Sequence, residues 1–170
     1  MLIKVIGCDA SGKTTFIKAL SKELGYPIVK GSSFEQSKTS QDELFEKFKA
    51  NQELENTILD RDFYCNLSYA PLYKDYAMIS DDQFKWLEFI ADPKSLLIYL
   101  YADAETLQLR LNERGDDYVK AERIPEILAK YEETLSMSKV NYVQFDTSDI
   151  DTDEMVELTK KVLGILESGK

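Results

Sequence analysis

Gly7-Cys8-Asp9-Ala10-Ser11-Gly12-Lys13-Thr14 fits the spacing G-x-x-x-x-G-K-[ST], and the residues on either side supply the setting that this spacing needs. Before it, Leu2-Ile3-Lys4-Val5-Ile6 reads as a buried strand; after it, Thr15 to Leu24 reads as a helix. Small residues at Gly7, Ala10, Ser11 and Gly12 let consecutive amide N–H groups wrap around phosphate oxygens, and the helix N-terminus adds its positive dipole end. In such a loop Lys13 reaches the β and γ phosphates and the Thr14 hydroxyl holds Mg²⁺. The stretch points to a nucleoside triphosphate site, with Gly7, Asp9, Ala10, Ser11, Gly12, Lys13, Thr14 and Thr15 around ATP.

The bulk numbers narrow the field. A length of 170 residues fits one domain, taken here as 1–170, with enough chain to bury a core. A formal charge of -10 argues against a protein that holds duplex nucleic acid or anionic lipid over a broad surface, but a small anionic ligand needs only local positive charge. No His occurs, so imidazole acid–base catalysis and His-based metal sites are excluded. Two cysteines, Cys8 and Cys65, make neither a disulfide scaffold nor a Cys-rich zinc site, and a reduced, cytoplasmic setting is the expectation. No apolar run approaches membrane-spanning length, and the chain opens without a signal-peptide pattern.

Only four of the basic residues are Arg: Arg61, Arg110, Arg114 and Arg123. Three fall in one short stretch. Arg suits bidentate phosphate recognition, so the cluster reads as phosphate clamps; ion pairs with neighbouring Glu on a helix surface are the plainer alternative.

Along the chain, apolar periodicity alternates between strand and helix. Pro27–Lys30 is a short second strand, followed by the polar stretch 31–36 that carries Phe34 and Glu35. Loops at the carboxyl ends of strands are where ligands bind in such folds. Ser40-x-x-Glu43 is a capping box opening a helix with Leu44, Phe45 and Phe48 on one side. Asn56–Leu59 is a third strand running into Asp60-Arg61, where an acid beside a phosphate loop is placed to hold Mg²⁺. A helix from Phe63 to about Lys74 brings Tyr64, Asn66, Ser68, Tyr69 and Tyr73, an amphipathic face that suits a planar base as well as simple packing. Ser80-x-x-Gln83 caps a helix with Phe84, Leu87 and Ile90 inward, and Pro93 marks its end.

Ser95–Tyr101 is apolar without alternation, as expected of a strand covered on both faces. From Ala104 a helix places Arg110 and Arg114 on one face and stops at Gly115. Residues 115–123 read as a lid over phosphates, with Arg110, Arg114, Lys120 and Arg123 around it. Pro125 then opens a helix with the stripe Ile127, Leu128, Tyr131 and Leu135. Tyr142–Phe145 is the fifth strand, Asp146-Thr147-Ser148 its carboxyl-end loop, and the last helix, from about Thr152, buries Met155, Leu158, Val162 and Leu166. The expected fold is α/β: a five-stranded parallel sheet in three layers, helices on both faces, with a short lid.

The segments GCDASGKTT, ILDRDFYCNLSY, IYLYADAETLQLRLNERG and FDTSDID together resemble the thymidylate kinase and deoxynucleoside kinase group of P-loop kinases over most of the chain. The resemblance implies that Asp9 lies near the sugar 3′-hydroxyl, that Asp60 and Arg61 support Mg²⁺ and grip the acceptor phosphate, and that Asn66 and Tyr69 contact the pyrimidine and crowd the 2′ position. It sets Phe34, Phe45 and Lys49 around the base, Arg110 and Thr147 at ATP, and Lys13, Arg61, Arg110, Arg114 and Arg123 as the cations that stabilise the transferring phosphoryl group. Homodimerisation is common in that group.

Two departures stand out. The Arg-Glu-Pro-Gly-Gly-Thr run that follows strand two in typical thymidylate kinases is replaced by Lys30-Gly31-Ser32-Ser33, and Ala10 stands where some members carry Arg. A nucleoside acceptor needs a base for its 5′-hydroxyl, which that branch places as Glu at the end of strand two; a monophosphate acceptor needs cations instead. This chain has Lys30-Gly31 there and Asp60-Arg61 after strand three, so a deoxypyrimidine monophosphate, thymidylate or deoxyuridylate, is the expected acceptor, ATP the donor and Mg²⁺ the cofactor. Glu35 keeps a nucleoside acceptor open. A nucleotide-binding sensor without transfer is the third reading.

Overall fold

The computed structural model describes residues 1–91, 95–116 and 119–168. Among these, five strands form one parallel sheet: β1 (Leu2–Gly7), β2 (Ile28–Lys30), β3 (Thr57–Asp60), β4 (Ser95–Tyr101) and β5 (Tyr142–Asp146), in the order β2-β3-β1-β4-β5. All six residues of β1 are buried, because it sits between β3 and β4 with helices on either side. Its register pairs Val5 with Asp60 and Gly7 with Leu100, so the first glycine of the loop and the acid of β3 emerge at the same carboxyl edge. Gly7 itself is required there, since a Cβ would lie 2.2 Å from the Leu100 carbonyl oxygen.

One face of the sheet is covered by α1 (Lys13–Leu24) and α7 (Thr152–Ser168), which enclose Ile3, Val5, Phe16, Leu20, Ile98 and Phe145. The other carries α2 (Gln41–Gln52), α3 (Phe63–Tyr69), α4 (Asp81–Ala91), α5 (Ala104–Arg114) and α6 (Ile124–Met137) around Phe48, Phe63, Tyr64, Leu87, Leu107 and Tyr131. Each such fully buried large side chain contributes about 2 kcal/mol of transfer free energy. Both capping boxes form: Ser40 Oγ accepts the Glu43 amide at 3.2 Å, and Ser80 Oγ the Gln83 amide at 3.2 Å.

Several boundaries differ from the sequence reading. α3 ends at Tyr69, not near Lys74, because Pro71 lacks the N–H that would continue it and the chain tightens into a short 3₁₀ turn at Ala70–Leu72. α7 buries Met155, Val156, Thr159 and Leu163; Leu158 and Val162 are only partly buried, and Leu166 is 40% exposed. That helix has rotated its stripe by about a third of a turn toward Thr159, whose hydroxyl is satisfied by the Met155 carbonyl. Pro93 and part of the 115–123 segment, residues 117 and 118, lie outside the described residues. Of the rest of that segment, Val119 is buried and Gln108 Nε2 donates to the Ala121 carbonyl at 3.0 Å, so it is tied onto α5.

Candidate active site

Two cavities open side by side at the carboxyl edge of the sheet. One is walled by Asp9 to Thr15, Asp60, Arg61, Arg110 and Arg114. The other is walled by Lys30, the 32–35 loop, Ser37, Asn66 and Tyr69 on α3, Tyr76 and Asp116. Asp9 and Arg61 belong to both walls.

In the first cavity the loop wraps back on itself. Lys13 Nζ donates to the carbonyls of Gly7 at 2.8 Å and Cys8 at 2.7 Å, and Ala10 adopts a left-handed backbone at φ 63°. Tyr131, at the centre of α6, donates to the same Gly7 carbonyl at 2.9 Å, so the start of the loop is anchored from beneath. Burial, with the Arg61 charge adding to it, lowers the Lys13 pKa to about 8. A polyanion bound in the loop would reverse that shift. Arg110 grips the β5–α7 turn through Thr147, donating to its hydroxyl and its carbonyl at 2.9 Å each. The structure thus joins two residues, 37 positions apart, that the resemblance assigns to ATP.

Thr14 and Asp60 face the first cavity too, and they supply two hard oxygen donors beside the phosphate loop. That donor set fits Mg²⁺, which keeps water and phosphate oxygens for the rest of its shell.

At the shared wall, Arg61 Nη2 donates to Asp9 Oδ1 at 2.7 Å and the Tyr69 hydroxyl donates to Asp9 Oδ2 at 2.5 Å. Burial works to raise the Asp9 pKa, but Arg61, Lys13 and the Tyr69 hydrogen bond outweigh it and hold the carboxyl below its ordinary range. Asp9 is therefore a fixed carboxylate. The Arg61 guanidinium also lies 5.1 Å from the Tyr69 ring centre, so three side chains brace one another. Arg61 reaches this place from a left-handed backbone, φ 68°.

The second cavity is aromatic on one side. Phe34 packs edge-on against Tyr69 at 5.7 Å and stacks on Tyr76 at 5.4 Å, with Tyr73 5.5 Å away. Lys30 and Arg61 bring positive charge, Asp9, Glu35 and Asp116 negative.

The remaining expected residues fall elsewhere. Phe45 packs on Trp86 at 5.5 Å, and Lys49 pairs with Glu46 at 3.2 Å and lies over the Trp86 ring; both sit on the α2–α4 surface and line neither cavity. Helical spacing put Phe45 beside Phe48, but α2 turns Phe48 inward and leaves Phe45 at its rim. Asn66 does line the second cavity, yet both ends of its amide already serve the backbone, donating to Ala77 O at 2.8 Å and accepting from Ile79 N at 3.2 Å. It closes the 70–79 loop. Arg123 donates to Leu72 O at 2.9 Å and to Glu126, and stacks over Tyr73; it too lines neither cavity. Glu126, three residues on, competes for its charge. Arg114 lines the first cavity and pairs with Asp116 at 3.0 Å.

Sequence reasoning passed over Tyr76, Ser37 and the pair Lys4–Asp62, 3.1 Å apart and fully buried. The last had a signal. A lone Lys in an apolar strand needs a buried partner, and Asp62 directly follows Arg61.

Sheet order, phosphate loop and paired cavities together define a nucleotide-binding protein with the fold of the P-loop nucleotide kinases. No protein-family model matches the chain. It is 38% identical over 156 residues to the SPbeta prophage-derived protein YorR of Bacillus subtilis strain 168, a match covering 92% of this chain and 94% of YorR, and it belongs to the same family. A crystal structure of YorR in complex with phosphorylated GDP is similar throughout, with a TM-score of 0.92, 37% identity, and coverage of 100% of this chain and 99% of that one. Structures of deoxyadenosine kinase from M. mycoides, one with bound dCTP and one with bound dATP, share the fold at TM-scores of 0.61 and 0.63 and 21% and 22% identity, covering 96% of this chain and 99% and 100% of theirs.

Proposed function

We propose that the protein is a kinase that moves the terminal phosphoryl group of a nucleoside triphosphate, ATP in the first instance, onto a deoxypyrimidine monophosphate, dTMP or dUMP, giving two diphosphates. The carrying observation is that Asp9 and Arg61 line both cavities: a donor seated in one would meet an acceptor seated in the other at those two residues.

In this reading the loop amides and Lys13 hold the donor's phosphates, and the Arg110–Thr147 clamp borders its nucleoside end. Lys30 and Arg61 meet the acceptor phosphate, and Phe34, Tyr69 and Tyr76 flank its base. Asp9 accepts from the sugar 3′-hydroxyl while Tyr69 crowds the 2′ position. Thr14 and Asp60 would hold Mg²⁺, which would supply neutralising charge at the donor phosphates. The acceptor phosphate oxygen is already an anionic nucleophile, so the chain's task is positioning and charge: Arg61 and Arg114 stabilise the transferring group. Buried, reduced Cys8 and Cys65 fit a cytoplasmic protein.

Glu35 in the wall of the second cavity favours one further reading, a nucleoside acceptor whose 5′-hydroxyl gives its proton to that carboxylate. ADP release measured against a panel of deoxynucleoside monophosphates and nucleosides, with Lys13→Ala as control, separates the two. The YorR complex makes GTP the second donor to include. Turnover with a pyrimidine monophosphate, lost in Lys13→Ala, is the expected result; turnover with nucleosides alone gives the reaction to the other branch.

A further inference from the structure

Arg61 holds a backbone conformation that a β-substituted residue adopts at a cost, so its surroundings must impose it. Two contacts do so directly. The Arg61 amide donates to the Val5 carbonyl at 3.0 Å, and the Arg61 carbonyl rests against Gly31, where a Cβ would lie 2.2 Å from the carbonyl oxygen. Gly31 is not among the positive-φ glycines, so its own backbone makes no demand for glycine. The closeness of Arg61 is what excludes a side chain. Gly31 is in turn held from two sides: its amide donates to Asp60 O at 3.0 Å, and its carbonyl accepts from Asn51 Nδ2 at 3.0 Å. Asn51 is buried in the last turn of α2, 20 residues along the chain from Gly31.

We propose that Asn51 is a positioning residue for phosphoryl transfer, acting through Gly31 to keep the Arg61 backbone left-handed and its guanidinium at Asp9 between the two cavities. This rests on the kinase reading above. The neighbouring Gln52 supports the same segment from the other side, donating to Asp62 at 3.2 Å, and Asp62 is fixed again by Lys4. The carboxyl end of α2 thus grips Gly31, which bonds Asp60, and Asp62 on the other side of Arg61, while lining neither cavity itself. Losing Asn51 frees the Gly31 carbonyl, lets β2 shift away from Arg61, and allows that residue to relax to negative φ, which swings the guanidinium off Asp9.

The test is a double-mutant cycle with Asn51→Asp, which keeps the shape and sets an oxygen against the Gly31 carbonyl, and Arg61→Ala. Asn51→Asp alone is expected to lower kcat at least tenfold while Mg²⁺-ATP affinity, read by fluorescent-nucleotide titration, stays within twofold. In the Arg61→Ala background it should add less than twofold. An equal loss in both backgrounds overturns the proposal. Gly31→Ala, which pushes on the Arg61 carbonyl directly, is the second variant and carries the same expectation if Asn51→Asp folds poorly. A crystal structure of either variant supplies a readout independent of turnover: Arg61 at negative φ supports the proposal, and Arg61 unchanged contradicts it. If the wild-type protein transfers no phosphoryl group, the kinase reading fails, and the crystal structure still decides whether Asn51 and Gly31 hold the Arg61 backbone left-handed.

Discussion

The Arg61 guanidinium donates to the Asp9 carboxylate at 2.7 Å across the wall shared by the two cavities, joining the phosphate loop to the end of β3. Asp9→Asn keeps the shape and removes the charge. We expect kcat/KM for the acceptor to fall about 10- to 100-fold, the scale of a lost charge-assisted contact, while ATP binding, carried by Lys13 and the loop amides, changes little. Steady-state kinetics beside nucleotide titration checks both halves.

Tyr69 donates to Asp9 and walls the second cavity. Tyr69→Phe removes the hydroxyl alone, and the loss of a hydrogen bond to a charged group should cost about 1.5–3 kcal/mol in chemical denaturation. Tyr69→Ala opens the 2′ side, so ribonucleotide use relative to deoxyribonucleotide use should rise; an unchanged sugar preference would remove the steric role.

The lid-region arginines separate by their partners. Arg110→Ala loses the Thr147 clamp and should raise KM for ATP; Arg114→Ala should lower kcat far more than ATP affinity. Arg123→Ala should leave kcat within about twofold, because its guanidinium is engaged by Leu72 and Glu126, and should instead lower the melting temperature. A large kcat loss in Arg123→Ala would contradict the placement.

Lys13 titrates near pH 8 in the folded protein and at 10.5 in the unfolded chain. Between those values the unfolded state holds a proton that the folded state lacks, so this group's contribution to stability rises with pH across that window. Below it the full burial cost of about 3 kcal/mol applies. Lys13→Met should therefore stabilise the nucleotide-free protein at pH 7 by about 1–2 kcal/mol after its two lost hydrogen bonds are discounted, with the gain shrinking toward pH 10. Thermal unfolding at both pH values reads the difference. Calorimetric ATP binding at pH 8 should show proton uptake.

Lys4 and Asp62 form an ion pair whose side chains are 1% and 0% exposed. Lys4→Met strands the Asp62 charge and should destabilise by about 3–5 kcal/mol, while the double change Lys4→Met, Asp62→Leu should recover most of that loss. Urea midpoints of the three variants decide it.

The alternation of strands and helices and both capping boxes were legible because each depends on local pattern: apolar runs, Gly stops and S-x-x-E/Q spacing. The phosphate loop was legible for the same reason, its function lying in its own backbone. The acceptor side was harder. Asn66 and Arg123 carry the right chemistry, but long-range partners, Ala77 and Ile79 for one and Leu72 for the other, already engage it, and sequence spacing shows no such competition. Phe45 was set beside the base by the resemblance alone; α2 buries Leu44 and Phe48 in the core and leaves Phe45 partly buried against Trp86. The left-handed Arg61 leaves a trace in sequence only as Gly31, which cannot be understood until β2 and β3 are side by side.

The most direct test puts Mg²⁺-ATP with equimolar dTMP, dUMP, thymidine and deoxyuridine in one tube and follows the products by ³¹P NMR. Signals of a newly formed deoxypyrimidine diphosphate, appearing while the nucleosides stay unphosphorylated, are the predicted outcome. A rise in the nucleoside monophosphate signals with ADP as the only diphosphate formed, or ATP left intact, would contradict it.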